Sequence, residues 1–438
     1  MTSLAAHGLP FKSGLSEAAL SAALWKVEQA WITRKRLIKN LQEALAEGQE
    51  HYVEEFTEAL LFESQSLLAC ILRANKRLKP HARAPLSRCI ALAETLRLDT
   101  PINEPVRLHA QEKSGGGFRV LADFGLRHRA AQHAVATTLG ERFRPRPFQY
   151  TFKGVPQAIV ATREAMASGL VYAAELDIQN FFGSFQPEEL ANELPLPKGV
   201  VEHVVIGRHM EAKANPGQGT KSPYAYPSHK ALLTQARLGI PQGSACSPIV
   251  AAYCMSRLKW PQASDTALLN YADNFLLLAP SMARLEEKIG ALTDAVSKLP
   301  GGHFKLNLIQ KTHLTKPLVF LGHALQIKGG AVRIEVSPAN WSSLCAKLAQ
   351  FETPFSSPTH AMAQANPQKA LDLLARFWAY ASAWQDTFQL CDDAAELGRF
   401  WIEPLGAYAE AAGFSLEEVI EAVDESMGYE PTDYALKG

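Results

Sequence analysis

Asp177 and Asp273 are the residues from which a chemistry can be argued, and they stand 96 positions apart. Asp177 closes the apolar run Val171-Tyr172-Ala173-Ala174-Glu175-Leu176. Asp273 lies in Tyr271-Ala272-Asp273-Asn274, inside the apolar stretch from Leu268 to Leu278. A carboxylate at the end of an apolar strand offers hard oxygen ligands, which magnesium prefers. Two such carboxylates suit a pair of divalent ions about 3.5–4 Å apart, the arrangement that drives nucleotidyl transfer. Between them runs Gly239-Ile240-Pro241-Gln242-Gly243-Ser244, a turn whose glycines permit close backbone approach. Glu175 shares the strand face of Asp177, because side chains there repeat every two residues, and is a candidate third carboxylate.

These residues need a scaffold of strands and helices. The spacing predicts three or four helices over residues 14 to 100, with Leu20, Leu24, Val27 and Trp31 recurring at three- and four-residue steps. Gly115-Gly116-Gly117 breaks that pattern before a short strand, Phe118 to Phe124. Helices are expected over His128 to Phe143, Val155 to Ala167, Ser247 to Leu258 and Met282 to Leu299. The segment Asn215 to Ser228 reads as a surface loop, and Lys305 to Leu325 as two short strands. Ser337-Pro338 is a strong helix start, followed by helices interrupted near Pro354 to Pro367. Strands therefore gather between 118 and 335 with helices on either side, an α+β pattern.

Composition narrows the function classes. The 438 residues carry 44 basic and 44 acidic side chains, but the stretch from Cys391 onward holds 12 acidic and 2 basic ones. The first 390 residues thus carry a charge of +10. Its clusters include Arg34-Lys35-Arg36, Arg73 to Arg88, Arg127-His128-Arg129 and Arg142 to Arg146, which suit a phosphate backbone as well as solvated helix faces. Six scattered cysteines without a C-x-x-C pair argue against a disulfide framework and a structural zinc. No eighteen-residue apolar run or export signal is present, so a soluble cytoplasmic chain without membrane contact is expected.

The motif order resembles that of the reverse transcriptases. Asp177-Ile178-Gln179-Asn180-Phe181-Phe182 is similar to the family's D-I-x-x-F-F, and Gly239 to Ser244 with Ser247-Pro248 to G-I-P-Q-G-S-x-x-S-P. Tyr271 to Asn274 stands where the family has Y-x-D-D, and Lys311-Thr312 with Phe320-Leu321-Gly322 matches the K-T and F-L-G pieces. Arg119 to Phe124 resembles the fingers strand. The resemblance covers about residues 105 to 330. It implies a right-hand polymerase fold: a helical N-terminal extension over 1–104, then fingers over about 105–170 and 186–235. The palm would take about 171–185 and 236–330, and a helical thumb with an acidic tail 331–438.

The resemblance also implies roles. Asp177 and Asp273, with the Ile178 carbonyl and weakly Asn274, would hold two Mg²⁺ ions, with Mn²⁺ as a substitute. Asn274 replaces the second carboxylate of the pair, so a weakened metal site is expected. Lys311 would protonate the leaving pyrophosphate. Arg119 and Lys113 would meet the triphosphate, Phe182 would exclude a ribose 2′-hydroxyl, and Gln242 and Gly243 would line the nucleotide. Arg127, Arg129, Arg144, Arg146 and Trp378 are candidates for holding nucleic acid. Lacking an endonuclease or ribonuclease H segment, the chain resembles bacterial defence-associated reverse transcriptases of the abortive-infection or unknown-group type. Implied partners are deoxynucleoside triphosphates, a structured non-coding RNA, the DNA product, and a second polymerase, effector protein or further copy of the chain. Template-independent synthesis, a retron-type enzyme, protein priming from a hydroxyl, and an inactive RNA-binding scaffold remain as alternatives.

Overall fold

The structure is a computed structural model that describes residues 17–113, 117–206, 208, 210–214, 226–261, 264–356 and 366–427. Gly115, Gly116, most of the Asn215 to Ser228 loop, most of the Pro354 to Pro367 interruption and the end of the acidic tail lie outside them. The strands are β1 (Val106–Glu112), β2 (Phe118–Asp123), β3 (Tyr172–Ile178), β4 (Ala212–Ala214) and β5 (Ala267–Tyr271). They continue as β6 (Asn274–Ala279), β7 (Leu306–His313), β8 (Leu318–Phe320), β9 (His323–Lys328) and β10 (Ala331–Val336). The chain divides into two compact units, each assembled from separated segments.

The first unit comprises Met1–Arg146, Ile178–Lys259 and Asp294–Lys305. Among the described residues its N-terminal part holds four helices, Glu17–Glu47, Glu50–Phe62, Ser64–Lys76 and Leu86–Thr95. Gly48, at φ 68, ends the first of these, and the Gln49 N–H reaches back to the Ala44 carbonyl at 3.0 Å. Leu37, Leu41, Val53 and Leu60 form a buried cluster among these helices; of the residues that the periodicity marked, Val27 is buried and Leu20, Leu24 and Trp31 are half-buried. A three-stranded sheet of order β2-β1-β4 follows, with β1 antiparallel to β2 and parallel to β4. Helices Leu126–Arg142 and Ser247–Met255 supply further buried faces.

The second unit comprises Pro147–Asp177, Trp260–Thr293 and Leu306–Gly438. A four-stranded sheet of order β5-β6-β3-β7 holds both aspartates, and a three-stranded sheet of order β10-β9-β8 follows it. Its core runs from Ile159 on helix Val155–Ala167 through Leu276 and Leu278 to Phe320, Leu344, Phe377 and Trp401. The C-terminal helices are Pro338–Ser356, Pro367–Phe388, Ala394–Ala411 and Leu416–Met427. Among the described residues, no helix is long and apolar enough to cross a membrane.

Several expectations are corrected. Strand β1 starts at Val106, before the expected first strand, because only its first half alternates buried and exposed. Three strands rather than two begin between Lys305 and Leu325. The helix expected to end at Leu258 stops at Met255, where a tight turn takes over.

Candidate active site

The hairpin of β5 and β6 carries Asp273. Its ladder closes with Tyr271 opposite Asn274, which leaves Ala272 and Asp273 as a two-residue turn. Ala272 takes φ 53, a left-handed backbone that costs an L-residue about 1–2 kcal/mol. Three hydrogen bonds hold the turn despite that cost. Thr151 Oγ1 accepts the Ala272 N–H at 2.8 Å, and the Asn270 amide donates to the Ala272 and Asn274 carbonyls at 2.9 and 3.2 Å. Asn270 is fully buried, so those bonds form where water cannot compete.

Strand β3 runs antiparallel to β6 with Asp177 opposite Asn274 and Glu175 opposite Leu276. Cross-strand partners project from one face, so Asp177 and Asn274 share a face and Asp273 is one residue further along the turn. That face buries Ala173, Leu276 and Leu278, and its apolar stretch ends in half-buried Glu175 and Asp177. Asp177 Oδ1 is buried and has no hydrogen-bond partner. An acceptor left in that state costs about 1–3 kcal/mol, more when charged, and a bound cation would remove the cost. The donor set of hard carboxylate oxygens around an orphaned buried oxygen fits a divalent ion.

Asn274 changes that site in a specific way. Its Nδ2 donates to Asp273 Oδ1 at 3.1 Å, so the amide steadies the neighbouring carboxylate that a second aspartate would repel. Burial, and then the Asp177 charge, push Glu175 up to about 7. Glu175 does not complete a third ligand position: among the described residues, no three His, Cys, Asp or Glu side chains are grouped to hold a metal ion. Lys311, on β7, pairs its ammonium with Glu286 on the helix that begins at Met282. Ile178 ends β3 as a buried residue.

The nucleotide candidates fall in the first unit. Gly239, at φ 58, lies so close to the Phe182 carbonyl that any Cβ would collide with it, and Ile240 N–H donates to that same oxygen at 2.9 Å. Gly243, at φ 100, lies against the Ala122 carbonyl, while Ala122 N–H donates to the Gln242 carbonyl at 2.8 Å. The turn is thus clamped between Phe182 on one side and β2 on the other. Phe182, Gln242, Val120 and Ala122 line a small cavity there, about 30 Å³. Gln132, a buried helix residue that the sequence did not single out, accepts the Ala245 N–H at 3.1 Å and fixes the exit of the turn. Arg119 and Lys113 are exposed on β2 and just after β1.

The nucleic-acid candidates divide. Arg144 donates to the Glu141 and Phe143 carbonyls at a helix end, and Arg146 to the Ser256 carbonyl. Arg129 bonds the Phe124 carbonyl and pairs with Asp123 at 3.0 Å. Arg127 lines a wide cavity with Arg129. Trp378 is half-buried, edge-on to Trp401 at 5.2 Å, inside the helical part of the second unit. Asn270, Thr151 and Gln132 are supports that no sequence motif announced.

An α+β chain with paired strand-end carboxylates and a glycine turn has the elements of a right-hand polymerase fold. Residues 111–325, just under half of the chain, match the family model described as reverse transcriptase (RNA-dependent DNA polymerase). The chain therefore carries a reverse transcriptase domain, an enzyme domain of the nucleotidyltransferase class. No curated protein matches its sequence. Among solved structures it resembles an apo telomerase from Candida tropicalis truncated from its C-terminal domain, at 14% identity and TM-score 0.34. That alignment covers 54% of this chain and 56% of the telomerase chain. A Candida albicans telomerase with a fragment of telomeric RNA aligns at 11% identity and TM-score 0.31, over 74% and 66% of the two chains. A Sicinivirus RNA-dependent RNA polymerase aligns at 12% identity and TM-score 0.32, over 76% and 69%. These structural likenesses are too slight to bear on function.

Proposed function

We propose that the protein is an RNA-directed DNA polymerase that adds deoxynucleotides to a 3′-hydroxyl. The observation that carries this is the strand register that sets Asp177 opposite Asn274, beside Asp273, with one Asp177 oxygen orphaned. Asp177 and Asp273 would hold two Mg²⁺ ions, Mn²⁺ substituting, with the Ile178 carbonyl as a further oxygen ligand. When bound, the ions supply activation of the attacking hydroxyl and charge neutralisation at the departing pyrophosphate. Asn274 orients Asp273, and Asn270 and Thr151 hold the turn that presents it.

In this reading a further set of residues meets the nucleotide. Arg119 offers a planar fork to phosphate oxygens, with Lys113 as a second cation. Phe182, held by its carbonyl against the glycine turn, selects against a 2′-hydroxyl, and Gln242 and Gly243 face the nucleotide. Lys311 acts on pyrophosphate only after exchanging its Glu286 partner. The enzyme works with a structured non-coding RNA, and the setting is bacterial antiphage defence, with a partner protein or a further copy of the chain. That setting rests on the basic body, the N-terminal helices and the altered active-site pair.

A second reading is favoured by the lack, among the described residues, of a three-ligand metal cluster. It makes the domain an RNA-binding scaffold without turnover. Primer extension by purified protein with Mg²⁺ or Mn²⁺ separates the two. The polymerase reading expects labelled product that disappears in Asp273→Ala. No incorporation by the unaltered protein, with RNA binding retained, leaves the scaffold.

A further inference from the structure

The first unit contains a cavity of about 740 Å³ that the reaction above does not use. That volume lies within the range of about 300–1,000 Å³ usual for ligand sites. Its walls come from several elements. The connection between helices Ser64–Lys76 and Leu86–Thr95 contributes Arg77, Lys79 and Arg83, the second of those helices Arg88, strand β1 Arg107, and helix Leu126–Arg142 Arg127 and Arg129. Among the described residues, two carboxylates line it, Glu104 and Asp123, and both are engaged. Glu104 accepts the Arg127 and His128 N–H groups at 3.2 and 3.0 Å, capping helix Leu126–Arg142, and Asp123 pairs with Arg129. Lys79, Arg88 and Arg107 are exposed and have no carboxylate partner among the described residues.

Buried His133 reports the same excess of positive charge from behind this wall. Burial first, and then the Arg77, Arg73, Arg34 and Arg129 charges, push it down to about 3. Cations concentrated on a concave surface without matching acids attract a polyanion. The cavity wall offers little for reading bases. Phe124 is buried and turned against His128, with ring centroids 5.4 Å apart, which leaves exposed His81 as the one ring in the lining that could meet a base.

We propose that this cavity grips consecutive phosphates of a single nucleic-acid strand, independently of sequence, and that the N-terminal helices exist in part to build it. The proposal rests on the reading that nucleic acid is what this protein works on, and assigns that reading a second point of attachment. Free nucleoside triphosphates share the phosphate chemistry. A cavity with seven Arg and Lys side chains spread over those elements suits a run of phosphodiesters better than three clustered phosphates.

The test is fluorescence anisotropy with the full chain and a labelled twelve-nucleotide single-stranded RNA, over a salt series. The variant Lys79→Gln/Arg88→Gln/Arg107→Gln is expected to bind about tenfold or more weakly near 0.1 M salt. Its plot of log affinity against log salt should flatten by about 2, three contacts at about 0.7 each. Arg88→Lys/Arg107→Lys keeps the charge and should stay within about threefold of the unaltered protein. ATP at equal phosphate concentration should compete poorly. Unchanged affinity and slope in the triple glutamine variant, at an unchanged melting temperature, would overturn the proposal. So would equal competition by ATP, which would make the site one for free nucleotides. If the triple variant melts early, weak binding by the lysine variant overturns it instead. None of these measurements needs nucleotide incorporation, so a protein that fails to polymerise still tests the cavity.

Discussion

Two tight turns of this protein solve the same backbone problem by opposite means. The turn at Gly239–Gly243 presses its backbone against carbonyls of Phe182 and Ala122, and only glycine leaves room for that. The turn at Ala272-Asp273 has a left-handed residue too, but there it is alanine, held by the side chains of Asn270 and Thr151. In the first case the requirement is space, in the second it is compensation. A space requirement cannot be relaxed by a neighbour, whereas compensation fails as soon as its donor is removed. The turn that carries Asp273, the carboxylate proposed to hold metal, is the one that stores strain, as strained residues at functional sites commonly do.

Substitutions can break this comparison at either end. Gly243→Ala should cost about 3 kcal/mol of stability in urea denaturation, since the new methyl meets the Ala122 carbonyl at a φ of 100. Asn270→Ala should cost about 2 kcal/mol, because it removes two buried donors at once and leaves two carbonyls short. It should also lower incorporation while leaving affinity for RNA unchanged. A stability loss without an activity loss there would remove Asn270 from the positioning role.

The charged wall of the first unit makes a pH-dependent contribution. His133 stays neutral in the folded chain down to about pH 3 but titrates near 6.5 once unfolded. The unfolded chain therefore binds an extra proton below that pH, and stability falls as pH drops from about 6.5 towards 3. His133→Gln lacks this loss. Between pH 7 and 4.5 the unaltered protein should lose about 2–3 kcal/mol more than the variant in paired denaturation curves. The smallest effect belongs to Ala272→Gly, which relieves the φ strain and should stabilise by up to about 1 kcal/mol. Destabilisation there would show that the alanine methyl packs rather than strains.

The sequence exposed the parts of this fold that local chemistry dictates. Tyr271 to Asn274 sits between apolar runs and reads as a hairpin tip. Helix Val155–Ala167 follows Gly154 and carries Pro156 in its first turn, and Ser337-Pro338 opens a helix as its residue types require. The aspartates were legible for the same reason, because a carboxylate at the end of an apolar strand is conspicuous. What stayed hidden depends on distant partners. Thr151 serves a turn 121 residues away, and Gln132 one 113 residues away, and neither residue type marks such a role on its own helix or loop. Strand β1 was missed because its second half faces outward and lacks the alternation of a half-buried strand. The two compact units interleave along the chain, so no shift in composition marks where one gives way to the other.

The account stands on Asp177 and Asp273 acting together on divalent ions. Titration of the purified protein with Mn²⁺, followed by electron paramagnetic resonance, examines that pairing without any nucleic acid present. Bound Mn²⁺ should be seen in the unaltered protein. Either Asp177→Asn or Asp273→Asn should weaken that binding at least tenfold. Equal Mn²⁺ binding in the unaltered protein and both variants would contradict the assignment.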